Sequence, residues 1–139
     1  MSTEQDYVFG YSPAAVALMQ ARSAETQGGF LLPHLSPGMH LLDIGCGPGT
    51  ITVGLAEAVA PGAAIGLDVS AGQVEMARAH AEATGRDNCR FLTGDARALP
   101  FEDDAFDAVF GHTILLQFGD PAPVLAEVRR VLRPGGVAA

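Results

Sequence analysis

A chain of 139 residues is sized for one domain, and with 48% hydrophobic residues it carries enough apolar side chains for a packed core. Its net charge is −8 and all 8 of its basic residues are arginine, which speaks against a nucleic-acid partner, since such binding depends on clustered positive charge. No run of about 20 uncharged apolar residues occurs, so no membrane span is expected.

The first ten residues, MSTEQDYVFG, lack the basic and apolar regions of a secretory leader. A cytoplasmic location is the default expectation. Ser12 and Pro13 read as an N-cap and a first-turn proline, opening a helix over residues 13–22. A second helical stretch is expected over 23–32, weakened at Gly28-Gly29, where each glycine costs about 1 kcal/mol against alanine. Pro33 and the Ser36-Pro37-Gly38 turn close this segment. The reading therefore divides the chain into a helical piece, 1–36, that packs over a main domain, 37–139.

The main domain opens with LLDIGCGPGT at 41–50. Residues 39–44 are nearly all apolar, as suits a central strand covered on both faces. Gly45, Gly47 and Gly49 then alternate through a tight turn, where a ligand can approach without a Cβ in the way. The helix that follows, 51–59, carries Ile51, Leu55 and Val59 on one stripe. A second strand is expected at 63–67, ending at Asp68. Ser70 caps the next helix, with Gln73 three residues on, the spacing of a capping box. A third strand is expected at 89–93 and a fourth at 106–110. Asp120-Pro121 starts a last helix with the stripe Leu125, Val128 and Leu132. Pro134-Gly135-Gly136 then turns into a final strand beginning at Val137.

Strands alternating with helices imply βαβ units and a parallel sheet with right-handed crossovers. In such a sheet Asp43, Asp68 and Asp95 fall at or near the C-terminal ends of strands and face one crevice. Asp68 is placed to accept both hydroxyls of a ribose, and Asp95 to meet an adenine amino group. Asp43 either orders the glycine loop or attracts an ammonium group. The plain alternative is that strand-end carboxylates are solvated or cap helices. Cys46 and Cys89 have neither metal-ligand nor CxxC spacing and read as two reduced, partly buried thiols; no metal site is expected. Arg129, Arg130 and Arg133 cluster near a helix end, where cations suit the macrodipole.

Five motifs together carry a family resemblance: LLDIGCGPGT at 41–50, IGLDVS at 65–70, GDARALPF at 94–101, FDAVFGHTILLQF at 106–118 and LRPGG at 132–136. In order and spacing the chain resembles a class I S-adenosylmethionine-dependent methyltransferase over residues 37–139, most nearly the ubiquinone and menaquinone biosynthesis branch. The resemblance implies an α/β fold, a Rossmann-like doubly wound parallel sheet with N-terminal helices. The family order is 3-2-1-4-5-7-6, and this chain would be C-terminally incomplete, stopping after the start of the fifth strand. It implies S-adenosyl-L-methionine as cofactor and a small-molecule methyl acceptor.

By position, the resemblance assigns Asp43, Gly45, Cys46, Gly47 and Gly49 to the methionine end of the cofactor. Asp68 takes the ribose, Val69 flanks the adenine, and Asp95 and Ala96 contact the adenine from the next loop. Gln73 stands where relatives often carry an apolar residue against the adenine, although its capping-box reading serves equally well. His112 is a candidate general base or an ordinary loop histidine. Arg22 either pairs with the cofactor carboxylate or is a surface residue. Tyr7 and Tyr11 would lie in a flap over the site.

Two other readings compete. An NAD(P)-dependent oxidoreductase also uses a glycine loop and an acid about 20 residues on, but the pattern here is GxGxG, not GxGxxG. A non-catalytic cofactor-binding fragment is the second. Missing outer strands would leave an uncovered edge through which chains associate, with Val109, Ile114, Leu116 and Val131 short of partners.

Overall fold

Leu41, Leu42, Asp43 and Ile44 are all buried, because β1 (His40–Ile44) has a strand on each side and cover on both faces. It is the middle of a five-stranded parallel sheet of order β3-β2-β1-β4-β5. The other strands are β2 (Ala63–Asp68), β3 (Cys89–Thr93), β4 (Phe106–Phe110) and β5 (Leu132–Ala138). This computed structural model describes residues 12–139; Tyr7 and Tyr11 lie outside them. The sheet is the Rossmann-like one that the motifs imply. Asp43 pairs in register with Gly66 on β2 and Phe110 on β4, which brings the C-terminal ends of the three strands to one rim.

Side chains alternate across the sheet, and each face has its own helix cover. Leu41, Ala64, Ala108 and Phe110 pack with Ile51, Leu55 and Val59 of α3 (Thr50–Val59). Leu42, Ile44, Leu67 and Val109 face the other way and meet Val124, Val128 and Val131 of α5 (Ala122–Val131). α4 (Ala71–Ala83) lays Val74, Ala77 and Ala81 against Phe91 of β3 and Cys46. Among the described residues no helix is long and apolar enough to cross a membrane.

Several local expectations need correction. α1 runs Pro13–Gln20, with Ser12 capping it as read. The second helix is one turn only, α2 (Ala24–Gln27), held by a capping box between Ser23 and Thr26. The chain then breaks at Gly28-Gly29 and makes a short 3-10 turn at Leu32–His34. The buried stripe of α5 is Val124, Val128 and Val131, and Leu125 is 50% exposed. The helix ends at Val131, so Leu132 already belongs to β5. That strand contains Pro134-Gly135-Gly136 as an irregularity in its pairing with β4: Phe106 pairs Leu132, and Ala108 pairs Val137. Val109 and Val131 do not lack partners; α5 covers that face, and they are 2% and 0% exposed. Of the four, Leu116 is exposed, at 65%, and Ile114 packs partly against the same core.

The arginine cluster does more than suit a helix dipole. Arg130 reaches the loop over 94–105, which replaces a helix between β3 and β4. Its guanidinium donates to the carbonyls of Leu99 and Phe101 at 3.1 and 2.7 Å and to Asp103 at 3.0 Å. It also makes a bidentate pair with Glu127, whose Oε2 in turn accepts from the Leu99 amide. Arg133 Nη1 donates to both oxygens of Asp107, which also accepts from the His40 amide. We expect Arg130→Met, which keeps the apolar stem, to lower the melting temperature and to speed proteolysis within 94–105. Unchanged cleavage there would remove the fastening role.

Candidate functional site

The turn after β1 is built by backbone hydrogen bonds before any side chain acts. The amides of Gly45 and Cys46 both donate to the carbonyl of Leu67, at 2.7 and 3.0 Å, tying the loop to the end of β2. Gly47 then curls at φ +54° and points its amide at Asp68 Oδ2, 2.9 Å away. The other oxygen of Asp68 accepts from the Ser70 amide at 2.9 Å. One carboxylate thus clasps both the glycine loop and the start of α4. Thr50 Oγ1 donates to the Met19 carbonyl at 3.2 Å, which anchors α1 beside the loop.

A cavity opens on this loop; the space within it, open mouth included, is about 930 Å³. Its wall gathers Asp43, Gly45, Cys46 and Gly47 from the β1 end, Asp68, Val69 and Gln73 from the β2 end, Asp95 and Ala96 after β3, and His112 after β4. Arg22 joins them from the α1–α2 turn. Gly49 is the exception. It is not part of the wall; its backbone, at φ +81°, is pressed against α4, where an added Cβ would stand 2.8 Å from Ala77 Cβ. Its role is to seat α3 against α4.

Electrostatics divide the acids. Asp43 is 2% exposed and accepts a hydrogen bond from Thr52 Oγ1 at 2.6 Å. Burial pushes its pKa up to about 7; the Thr52 bond pulls the other way and the charge of Asp68 adds to the rise. Asp95 is held below the ordinary carboxylate range, first by the hydrogen bonds of Arg97, which engages both of its oxygens. Arg97 in turn lies 5.4 Å over the ring of Phe118. Burial, then the charges of Asp43 and Asp68, push the Cys46 thiol up, so it stays protonated. Burial pushes the Cys89 thiol up to about 11, and both cysteines are free. His112 is pulled below its ordinary 6.5 by burial and then by the charge of Arg22.

Among the described residues, two buried polar atoms in this wall have no hydrogen-bond partner: Gln73 Oε1 and His112 Nδ1. For Gln73 this removes the capping-box reading. Ser70 Oγ does accept from the Gln73 amide, at 3.3 Å, but the Ser70 amide is taken by Asp68. The glutamine side chain turns instead toward Gly47. Among the described residues no cluster of metal-ligating side chains occurs.

Sequence reasoning missed several contributors. Thr52 is fully buried on α3, and a polar residue one position after Ile51 on the inward side was the available signal. Ile114 closes over the loop, close enough that a Cβ on Gly45 would meet its Cδ1 at 2.7 Å. Thr113 holds φ +59°, a conformation that β-branched residues rarely adopt, and nothing in its residue type announces it.

The chain matches the family model of the methyltransferase domain over residues 35–139 and belongs to that family. With its sheet order and rim cavity it falls among the class I S-adenosylmethionine-dependent methyltransferases. It is 39% identical over 143 aligned positions to a protein of Aspergillus luteorubrus named "Probable methyltransferase ltbC", covering 96% of this chain and 50% of that one. It is 44% identical over 100 positions to the demethylmenaquinone methyltransferase of Lactococcus lactis, covering 71% of this chain and 40% of the other. Among solved structures, a SAM-dependent methyltransferase from Aquifex aeolicus superposes with a TM-score of 0.78 at 25% identity, covering 89% of this chain and 69% of that one. The chain spans about half the length, or less, of these curated relatives. The family membership does not favour the nicotinamide reading.

Proposed function

We propose that this chain forms the donor-binding part of an S-adenosylmethionine-dependent methyltransferase, and that the methyl group passes directly to a small-molecule acceptor. The observation that carries this reading is Gln73 Oε1, a buried acceptor with no hydrogen-bond partner among the described residues, beside Gly47 in the wall of a cavity rimmed by acids. A buried polar atom left unsatisfied costs about 1–3 kcal/mol, so the cavity suits a ligand that brings an N–H or O–H donor to this point. A nucleoside does so.

When bound, S-adenosylmethionine supplies an electrophilic methyl group on a positively charged sulfur. The chain's own residues then bind and orient. Asp68 is assigned the ribose hydroxyls, beside the Gly47 and Ser70 amides that its two oxygens accept. Val69 and Ala96 flank the adenine, and Asp95 reaches its amino group while shared with Arg97. Gly45, Cys46 and Gly47 leave room for the methionine end, with Asp43 below them and Arg22 for its carboxylate. His112, neutral near pH 7 because burial and Arg22 disfavour its cation, is assigned as base for an acceptor with a proton to lose. Direct transfer needs chiefly proximity and alignment. We assign the donor-binding role to residues 37–139, with 1–36 as cover, a division that Met19 and Arg22 in the cavity wall support.

Thermal shift with S-adenosylhomocysteine against NAD tests the reading. At a concentration 100-fold above Kd, a ligand specific for the native state stabilises by about 2.7 kcal/mol, several degrees for a domain of this size. We expect that shift with S-adenosylhomocysteine. Stabilisation by NAD alone would reject the assignment.

A further inference from the structure

Among the described residues, Asp43 is buried without a paired cation. Its carboxyl receives one hydroxyl, from Thr52, and makes no ion pair with any described arginine or histidine. The groups around it give no relief. From β2, Asp68 brings a second negative charge; from the glycine loop, Cys46 brings a protonated thiol; from α3, Thr52 is neutral. Its register neighbours in the sheet, Gly66 and Phe110, do not titrate. Arg22, His112 and Asp95 share the cavity wall with it. A buried carboxylate lacking a counter-charge is expensive, and a carboxyl so placed meets that cost by holding a proton until a cation arrives.

We propose that Asp43 and Thr52 form a proton-exchanging pair that makes the site selective for the charge of its ligand. A cationic nucleoside draws the proton off Asp43 into solvent; a neutral nucleoside leaves it in place. The inference rests on the donor-binding reading and adds a proton to it. Thr52 is the positioning residue. Its O–H donates to Oδ2 and favours the ionised form, so it sets the pH at which the exchange occurs. The raised pKa of Asp43, about 7, puts that exchange near neutrality.

Titration calorimetry of the whole chain tests this, with S-adenosylmethionine and with 5′-methylthioadenosine, which carries neither the sulfonium nor the ammonium charge. Measurements in buffers of different ionisation enthalpy count the protons released. For wild type we expect S-adenosylmethionine affinity to fall by up to about tenfold per pH unit on going from about pH 8 to pH 6, as one linked proton requires. The neutral nucleoside should show little dependence. Asp43→Asn should flatten the profile, and protons lost by the ligand itself or by His112 are common to both proteins, so the difference belongs to Asp43. Thr52→Val should move the transition to higher pH and Thr52→Ser should restore it, which a merely structural hydroxyl would not do. S-adenosylmethionine bound with the same pH profile in wild type and Asp43→Asn, or a neutral nucleoside releasing the same proton, would overturn the pair and leave donor binding standing. A cooperatively melting chain that binds neither nucleoside would overturn both.

Discussion

Replacing Asp68 by alanine is expected to remove most S-adenosylmethionine affinity and, at the same time, to loosen the glycine loop. The carboxylate accepts the Gly47 amide through Oδ2 and the Ser70 amide through Oδ1, each at 2.9 Å. Hydrogen bonds to a charged group are worth about 1.5–3 kcal/mol each, and the proposed ribose contact is lost with them. The melting temperature should therefore fall along with affinity. Asp68→Asn separates the two effects. It keeps one acceptor for an amide, so the fold should recover in part, while a neutral amide cannot replace both ribose contacts. Asp95→Ala should weaken binding less, because Arg97 already engages both Asp95 oxygens and an adenine has other contacts. Calorimetry showing unchanged affinity in folded Asp68→Ala would end the ribose assignment.

That double use of Asp68 was beyond reach of the sequence, and the reason is geometric. An acid at the end of a strand can be placed from pattern alone, since the apolar run and the following cap bracket it. Which donors it meets depends on how the loop 21 residues earlier curls, and Gly47 has no side chain to announce its direction. Gln73 shows the same limit. Its spacing from Ser70 fitted a capping box, but Asp68 competes for the Ser70 amide and wins, which frees the glutamine for the cavity. In α5 the period was legible and the phase was not: Leu125 looked the better core residue, yet the helix turns Val124, Val128 and Val131 inward. Helix phase is decided by the surface packed against it, not by the larger side chain. β1, β2 and β4 were legible because burial leaves a nearly continuous apolar signature, and with them Asp43 and Asp68 at their ends; β5 is mostly exposed and begins at Leu132, five residues before the expected start. Arg130 was read only as a helix-end charge, because its partners at 99, 101 and 103 lie in a loop with no periodicity to place them.

Gly47→Val is expected to abolish cofactor binding in a chain that still folds. The residue sits at φ +54°, so any Cβ costs about 1–2 kcal/mol in the left-handed region, and β-branching stiffens it further. A domain stable by about 5–15 kcal/mol can absorb that. At the Cβ itself there is room, since the nearest atom to it is Gln73 Oε1 at 3.6 Å, ordinary contact. Gly47 and Gln73 both line the cavity, so the two γ-methyls are expected to crowd the buried acceptor that a ligand is proposed to satisfy. Gly49→Val supplies the contrast two residues on. There the Cβ would stand 2.8 Å from Ala77 Cβ and 3.2 Å from the Phe91 ring, at φ +81°, so α3 and α4 must separate and the melting temperature should collapse. Thermal melts and calorimetry on both variants decide the matter. If Gly47→Val bound S-adenosylmethionine with wild-type affinity, the glycine loop would not be the donor site. If it unfolded as Gly49→Val is expected to, Gly47 would be a packing residue and its place in the cavity wall would have no bearing on a ligand.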